Sequence, residues 1–290
     1  AAAQGTKIKQ ELYGIPYTDD FQPGTGYFGV TGVQSTFNAV RRFQLETPAK
    51  KKVKSNYKAT FVSSQEEREK LSTTTAGASL SIGGFGLGAS YSSGSTFKFG
   101  LTSTTFVIHY EELETSYRTL DDDDYKLKKL AKEMLESGDM TAFRNAYGDY
   151  FVGGYKYGGT YDAFITITTS TMEQIDEVKA KLSASFATES AAVSADVGNT
   201  TKETLTRNNA SVSIEIKTAG IDVSQLTGIK TGKTTDINDV ITGLAAFKEA
   251  LKQSTVDDFT PAYVMLKRYT LLDDIEKVMR SKNYDGGLIP

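Results

Sequence analysis

The chemistry open to this chain is limited by a scarcity of reactive side chains. Its 290 residues contain no cysteine and a single histidine, His109. Without thiols the chain makes no disulfide, no thiolate metal site and no cysteine nucleophile. One histidine excludes a multi-histidine metal centre within one chain, and a serine–histidine–aspartate triad would have to use His109. We therefore expect no catalysis, no metal and no cofactor, with a hydrolase that uses His109 as a distant alternative.

Two other groups that could do chemistry favour structural roles. Asp121 to Asp124 precede a lysine-rich stretch from Lys126 to Leu135, so their charges suit the positive N-terminal end of a helix. A Ca²⁺ loop is the alternative, but it needs spaced ligands and a bend-forming glycine. His109 follows three apolar residues in a strand pattern, which favours a structural role over a pH trigger.

Charge and hydropathy exclude further classes of protein. The chain has 33 Lys and Arg against 36 Asp and Glu, a formal charge of -3, and a pI near 5.5. This balance lacks the basic surface of a duplex nucleic-acid binder, so we expect no nucleic-acid partner. No stretch approaches the roughly 20 apolar residues of a membrane-spanning helix. The length allows one large domain or two small ones.

The elements that would position any site fall into two similar units, each a strand followed by a capped helix. Residues 57–62 predict a strand, and Ser64 with Glu67 forms a capping box that opens a helix to about residue 71. Residues 164–169 predict a second strand, and Ser170 with Glu173 opens a second helix to about residue 181. Further helices are predicted at 126–135, at 140–146 with Asp139 as its cap, at 237–251 behind Asp236, and at 271–282. A strand is predicted at 263–269.

Each unit continues into a segment in which polar and apolar residues alternate. Residues 71–107 and 182–218 are rich in serine and threonine, and about 37 residues long. Because a tilted strand crosses a membrane in about 9–11 residues, each segment has room for two crossing strands and a turn. The strands are too few to close a barrel within one chain, which favours one subunit giving two hairpins to a shared barrel. Half-buried strands of a soluble sheet are the alternative.

A glycine- and tyrosine-rich motif follows the short helix predicted at 140–146, and it resembles the signature of a known family. The run from Tyr147 to Gly159 resembles the signature of the membrane attack complex/perforin (MACPF) family of pore-forming proteins. That signature is Tyr or Trp, Gly, Thr or Ser, usually His, an aromatic residue, six residues, then Gly-Gly. Tyr147, Gly148, Phe151, Gly158 and Gly159 match it. Asp149 replaces the small hydroxyl residue and Tyr150 replaces the histidine.

The resemblance implies an α+β fold with a bent central four-stranded antiparallel sheet flanked by two helical clusters. It covers about residues 25–270 of a single domain over 1–290. The clusters would be the segments 71–107 and 182–218, stored as short helices and unfurled as hairpins on a membrane. Gly158 and Gly159 would let the sheet flex at its bend, with Tyr147, Gly148 and Phe151 framing it. An ordinary bulge with no moving part is the alternative for the glycine pair.

The function implied by the resemblance is pore formation. Secreted monomers would bind a target membrane, assemble with copies of themselves into an arc or ring, and insert a transmembrane β-barrel, as cytolysins and other toxins do. The partners would be membrane lipid, the chain itself and, in one version, a separate membrane-targeting protein. A MACPF-fold adhesion or binding module without pore activity is the main alternative. The residues expected to face lipid are Leu80, Ile82, Phe85, Leu87, Phe97, Phe99, Phe186, Val212, Ile214 and Ile216.

Overall fold

The computed structural model describes residues 11–29, 32–45, 53–68, 97–115, 118–121, 124–223, 226–255, 258–272, 275 and 277. Within them the strands are β1 (Glu11–Pro16), β2 (Gly26–Phe28), β3 (Val33–Gln34), β4 (Val53–Val62), β5 (Ser103–Glu114), β6 (Arg118–Thr119), β7 (Tyr150–Thr168), β8 (Ser211–Ala219), β9 (Gly232–Thr234) and β10 (Pro261–Arg268). The helices are α1 (Lys129–Glu136), α2 (Met140–Tyr147), α3 (Met172–Ser185), α4 (Glu189–Ala192), α5 (Val197–Arg207) and α6 (Ile237–Gln253). Most of the first alternating segment, residues 71–96, lies outside the described residues, as does most of the helix predicted at 271–282.

The fold is built around β7, whose 19 residues pair with different strands along its length. Its C-terminal half lies between β5 and β8, and β4 adds to the far side of β5. All three pairings are antiparallel, so the predicted four-stranded antiparallel sheet is confirmed. The short strand β9 extends it beyond β8. The N-terminal half of β7 pairs with β10, β2 and β6 instead, and β1 lies beyond β10.

One face of the four-stranded sheet carries the largest core. Alternate residues of a strand point to the same face, and Phe106, Ile108, Ile165 and Ile214 are each at most 1% exposed on this one. They pack against apolar side chains of α3, α5 and α6, including Leu182, Leu205, Val240, Leu244 and Phe247. The burial of this face fixes the register, because a one-residue slip would turn its apolar side chains away from the helices.

The helices follow local capping signals closely. Asp139 and Asp236 accept backbone N–H bonds at the starts of α2 and α6, as predicted. The predicted Ser170–Glu173 capping box is wrong by one residue: Thr171 and Gln174 form it. Helix α1 begins at Lys129, three residues after the predicted start. No helix in the described part of the chain is long and apolar enough to cross a membrane.

The second alternating segment is stored largely as helix. Residues 182–185 end α3, and α4 and α5 follow before β8 begins at Ser211. This agrees with the expectation that the segment packs as short helices. Its last part, from Ser211 onward, is a strand of the central sheet.

Candidate functional site at the bend of the central sheet

The glycine pair of the signature lies where β7 changes partners. Tyr157 is the last residue of β7 that aligns with β10, opposite Pro261. Gly158 is the first that aligns with β5, opposite Leu113, and pairing with β8 begins at Thr160. β7 therefore changes partners at residues 157–160, which is the position of the predicted bend.

Gly158 has a backbone conformation that other residues rarely adopt. Its φ is +144°, a value that favours glycine. A Cβ at this position would lie 2.1 Å from the carbonyl oxygen of Glu112 on β5. A substitution would therefore need either a strained backbone or a separation of β5 from β7.

Gly159 provides the contact between the bend and helix α6. A Cβ on Gly159 would lie 2.8 Å from Leu251 Cδ2 and 2.9 Å from Phe247 Cζ. Both side chains are fully buried near the C-terminal end of α6. Gly220, at the end of β8, has a φ of +87°, and its Cβ would fall 1.7 Å from the Gly158 carbonyl oxygen. The bend is thus packed tightly from two sides.

The first half of the signature fixes the entrance to β7. Tyr147 ends α2, and its carbonyl accepts a hydrogen bond from the Tyr269 hydroxyl at 3.0 Å. Gly148 has a φ of +79°, and a Cβ there would lie 2.4 Å from the Tyr27 carbonyl oxygen. Phe151 is fully buried with its ring centroid 5.3 Å from that of Tyr269. These residues connect α2, β2 and the segment after β10, and their role in framing the bend stays a prediction.

The two departures from the signature have partners of their own. The Asp149 carboxylate accepts a hydrogen bond from the Gly29 amide at 3.2 Å and forms an ion pair with Arg144 at 3.0 Å. The Tyr150 ring is buried, with the Arg268 guanidinium 5.6 Å from its centroid. The side chains of Asp149 and Tyr150 therefore lie between α2, β2 and β10 and contact residues from these elements.

A charged cluster lies in the middle of the four-stranded sheet. His109 on β5 is opposite Asp162 on β7, and its Nδ1 is 2.5 Å from Asp162 Oδ1. Its Nε2 is 3.1 Å from Glu111 Oε2. Lys58 on β4 and Lys217 on β8 occupy the same row of the sheet. His109 is fully buried, on the face that points away from α3 and α6.

The carboxylates keep the His109 ring protonated. Burial alone would lower the pKa of His109, but the charge and hydrogen bond of Asp162, followed by those of Glu111, raise it to about 10. The imidazolium then ties β5 to β7 throughout the physiological pH range. This geometry favours the structural role over a pH trigger, and full burial leaves the ring out of reach of a dissolved substrate.

The residues expected to face lipid occupy different environments. Leu80, Ile82, Phe85 and Leu87 lie outside the described residues. Phe97 is half-buried against Phe164, with ring centroids 5.7 Å apart, and Phe99 is exposed. Phe186 is buried, and its carbonyl accepts a hydrogen bond from the Tyr57 hydroxyl at 2.7 Å. Their contact with lipid stays a prediction.

The three candidates on β8 are part of the core face. Ile214 and Ile216 are each 1% exposed, and Val212 is half-buried beside them. Packing beneath the helices is sufficient to explain their alternation with polar residues, which is the alternative stated for these segments. In this structure the helices cover Ile214 and Ile216, whereas Val212 is partly exposed.

Sequence reasoning missed two parts of the bend. It did not connect Gly220 or the α6 residues Phe247 and Leu251 with Gly158 and Gly159, since 61 to 93 residues separate them along the chain. It also missed the His109–Asp162 pair. The available signal was that His109 and Asp162 each lie in a short run, 106–110 and 161–165, whose other residues are apolar or aromatic.

The chain matches no family model and no curated protein. Among solved structures it is similar to a cell invasion protein with a MAC/perforin domain from Bacteroides thetaiotaomicron, at 15% identity and TM-score 0.43 over 94% of this chain and 64% of that one. It is similar to GNIP1Aa from Chromobacterium piscinae, at 14% identity and TM-score 0.48 over 97% and 58%. It is also similar to stonustoxin, at 11% identity and TM-score 0.43 over 94% and 33%. The chain spans less than two thirds of the length of these proteins.

The features described above agree with one another. An antiparallel sheet of four long strands has one member that changes partners at a glycine pair, and the connection between its last two strands is folded as helices. The signature residues lie at the entrance to that strand and at its bend. This chain therefore has a MACPF-like fold.

Proposed function

We propose that this protein forms membrane pores by extending two long connections of its central sheet into β-hairpins. The observation that carries the proposal is the length of the connections within the four-stranded sheet. β4 and β5 are adjacent and antiparallel, and their last aligned pair is Val62 with Thr105, so residues 63–104 connect them. β7 and β8 end at Thr168 with Ser211, so residues 169–210 connect them. Both connections are 42 residues long.

Such connections are far longer than the geometry needs. Adjacent antiparallel strands can be joined by a turn of about two residues. If each connection formed a β-hairpin, each of the two strands that flank it would become longer by about 20 residues. At about 3.3–3.4 Å per residue this is roughly 65–70 Å. A membrane crossing takes about 9–11 residues per strand, so each connection is long enough for two crossing strands and a turn. Two connections of equal length would end at the same depth.

The stored form of the second connection has a low helix preference. Helix α5 is Val-Gly-Asn-Thr-Thr-Lys-Glu-Thr-Leu-Thr-Arg. Valine, threonine and glycine each cost up to about 1 kcal/mol relative to alanine inside a helix. The same valine and threonine residues favour strands. Packing against the sheet therefore holds this segment helical, and loss of that packing would favour the extended form.

Part of the second connection, residues 177–186, would also have two chemically different faces when extended. Leu182, Ala184 and Phe186 would alternate with Ser183 and Ser185. Nearer β7, Glu177, Lys179 and Lys181 would share the face of the two serines. This is the pattern of a barrel strand with lipid on one side and water on the other.

In this proposal helix α6, which packs on the bend, must move. Phe247 and Leu251 of α6 pack on Gly159, and α5 lies against α6. Displacing α6 would free the bend and the connection at the same time. In this proposal a secreted, soluble chain reaches lipid directly or through a targeting protein, assembles with copies of itself, and performs no catalysis.

A disulfide that ties α5 to α6 tests the proposal. A Cβ on Gly198 would lie 3.5 Å from Asn238 Cγ, and the chain has no other cysteine. We expect the oxidised Gly198→Cys/Asn238→Cys protein to lose at least about nine tenths of its dye release from liposomes, because α5 can no longer extend. Reduction should restore the release. The two single variants are the matched controls, and free-thiol titration reports closure of the bond.

The outcomes separate the two candidate functions. Equal dye release by the oxidised and reduced forms would overturn hairpin release from the second connection. Intact liposomes with the unmodified chain, across several lipid extracts, would favour the adhesion or binding module instead.

A further inference from the structure

Exposed apolar side chains gather at one edge of the four-stranded sheet. Among the described residues, the large apolar side chains with substantial exposure are Val33, Phe37, Phe99, Leu101, Leu130 and Met172. Three of these, Phe99, Leu101 and Met172, lie at the edge where β5 begins and β7 ends. We call these three residues the apolar tip.

Hydrogen bonds hold the two parts of the apolar tip side by side. The Thr169 amide donates to the Thr102 carbonyl at 2.9 Å, which places Leu101 next to the turn that leads into Met172. The Ser103 and Thr168 hydroxyls are 3.1 Å apart. The Lys98 amide donates to the Thr105 hydroxyl at 3.2 Å, so the loop that carries Phe99 and Leu101 folds back on β5. The tip is anchored to the sheet at both of its parts.

The exposure of these side chains is not explained by packing. Leu101 is 76% exposed, Met172 is 50% exposed and Phe99 is 38% exposed. Phe97, two residues before Phe99, packs inward on Phe164 and receives the Arg68 guanidinium over its ring at 4.8 Å. Phe97 is therefore half-buried by packing, and its ring centroid lies 6.1 Å from that of Phe99. Leu101 and Met172 are more exposed than Phe99 and present most of the apolar surface of the tip.

The chain that leaves this edge indicates what covers the tip. Residues 63–104 leave the sheet after Val62 and return to it at Thr105, at the same edge, and no charged residue lies between Lys70 and Lys98. Residues 169–210 leave and return there as well. Both proposed hairpins thus begin at the tip. Because both proposed hairpins would enter a bilayer from this edge, the surface that covers the tip in this proposal is a bilayer.

We infer that the apolar tip is the first membrane-contact site of this protein and that its ligand is a zwitterionic lipid bilayer. The inference rests on the proposed function and names the part of the chain that docks before any hairpin extends. Lys98 and Glu173 flank the tip and carry opposite charges, so attraction to anionic lipid adds little. Leucine, methionine and phenylalanine gain free energy when their exposed surface leaves water.

The chain has no tryptophan, so one introduced residue reports on its own position. With phosphatidylcholine vesicles, we expect the Leu101→Trp protein to show a blue-shifted emission and quenching by brominated acyl chains. Leu130→Trp is the matched control: Leu130 is 65% exposed on α1, towards the other end of β7. It should show neither change. An identical response from both positions, or none from Leu101→Trp, overturns the inference.

Vesicle flotation of charged variants gives the second readout. Leu101→Asp and Met172→Asp should each lower the vesicle-bound fraction at least about ten-fold, with binding unchanged between 0.1 and 0.5 M salt, whereas Leu130→Asp should bind normally. Dye release distinguishes the two proposals. Tip-dependent flotation without leakage supports the docking site and refutes pore formation, while leakage that survives Leu101→Asp and Met172→Asp refutes the docking site alone. A chain that neither floats nor leaks overturns both.

Discussion

At the scale of single residues, the buried His109 cluster is the most unusual feature of the sheet. A buried ion pair seldom adds stability relative to apolar residues, because desolvation offsets the attraction between the charges. Removing one partner is costly, however, since the other charge stays buried. The cluster aligns β5 with β7, because Asp162 is the residue directly opposite His109. We infer that the cluster helps to fix the register of β5 against β7.

The stability of the fold should depend on pH through His109. Its pKa is raised from 6.5 to about 10 in the folded chain. The folded state therefore holds this proton more tightly, so the contribution is complete below about pH 6.5 and is lost as pH rises towards about 10. We expect the free energy of unfolding in urea to fall between pH 6.5 and pH 9.5.

A histidine variant isolates this contribution. His109→Gln should lower the free energy of unfolding at pH 6 by about 3–5 kcal/mol, because Asp162 and Glu111 lose their cation. It should also flatten the decline above pH 6.5. Burial raises the pKa values of Tyr110, Tyr155, Tyr161 and the half-buried Tyr57 further above 10, so these groups titrate outside this window. An unchanged slope in the variant would show that another group controls it.

At the scale of elements, α5 combines a helical structure with residues that prefer strands. Six of its eleven residues are valine, threonine or glycine. Tertiary packing overrides this preference, because Val197, Thr201, Thr204 and Leu205 are buried. The helix is thus stable only in the folded context.

Raising the helix preference of α5 should slow the release of this segment. Thr200 and Thr206 are exposed, so alanine at both positions should add about 0.5 kcal/mol each to helix stability without changing the core. We expect slower dye release from liposomes by Thr200→Ala/Thr206→Ala. Thr200→Val/Thr206→Val keeps the β-branched shape and should release dye at the original rate. Faster release by the alanine variant would argue against helix unfolding as the limiting step.

At the scale of the whole molecule, long strands of the sheet and long connections alternate along the chain. The 11-residue alignment of β5 with β7 forms a continuous antiparallel pair beside the bend. Residues 169–210 connect β7 to β8 through helices that pack against that pair. The sheet is therefore expected to keep its structure while the connection changes.

Hydrogen exchange would test this division of the molecule. In solution, amides of residues 158–168 should exchange slowest and those of α4 and α5 much faster, since a short helix opens locally. On liposomes, protection should increase across residues 169–210 as new strand pairs form, with little change in β7. Unchanged exchange in 169–210 on vesicles that leak would contradict hairpin formation by this segment.

Local patterns predicted many elements of the fold. The caps Asp139 and Asp236, the helices that follow them and the α+β class are in place, and the glycine pair lies at the bend. These features depend on residues only a few positions apart in the chain, so the local sequence is sufficient to predict them. Strand β7 was predicted only over 164–169, because its first half is rich in glycine and tyrosine and has no alternation.

The sequence by itself determined the capped helices, the two alternating segments and the glycine–aromatic signature, because each depends only on neighbouring residues. Only the tertiary structure decided that Asp162 faces His109, that α6 packs on Gly159 and that the two connections have equal length. These facts depend on strand register and helix docking across tens of residues. Register is set by the burial of the whole sheet face, which no local pattern contains.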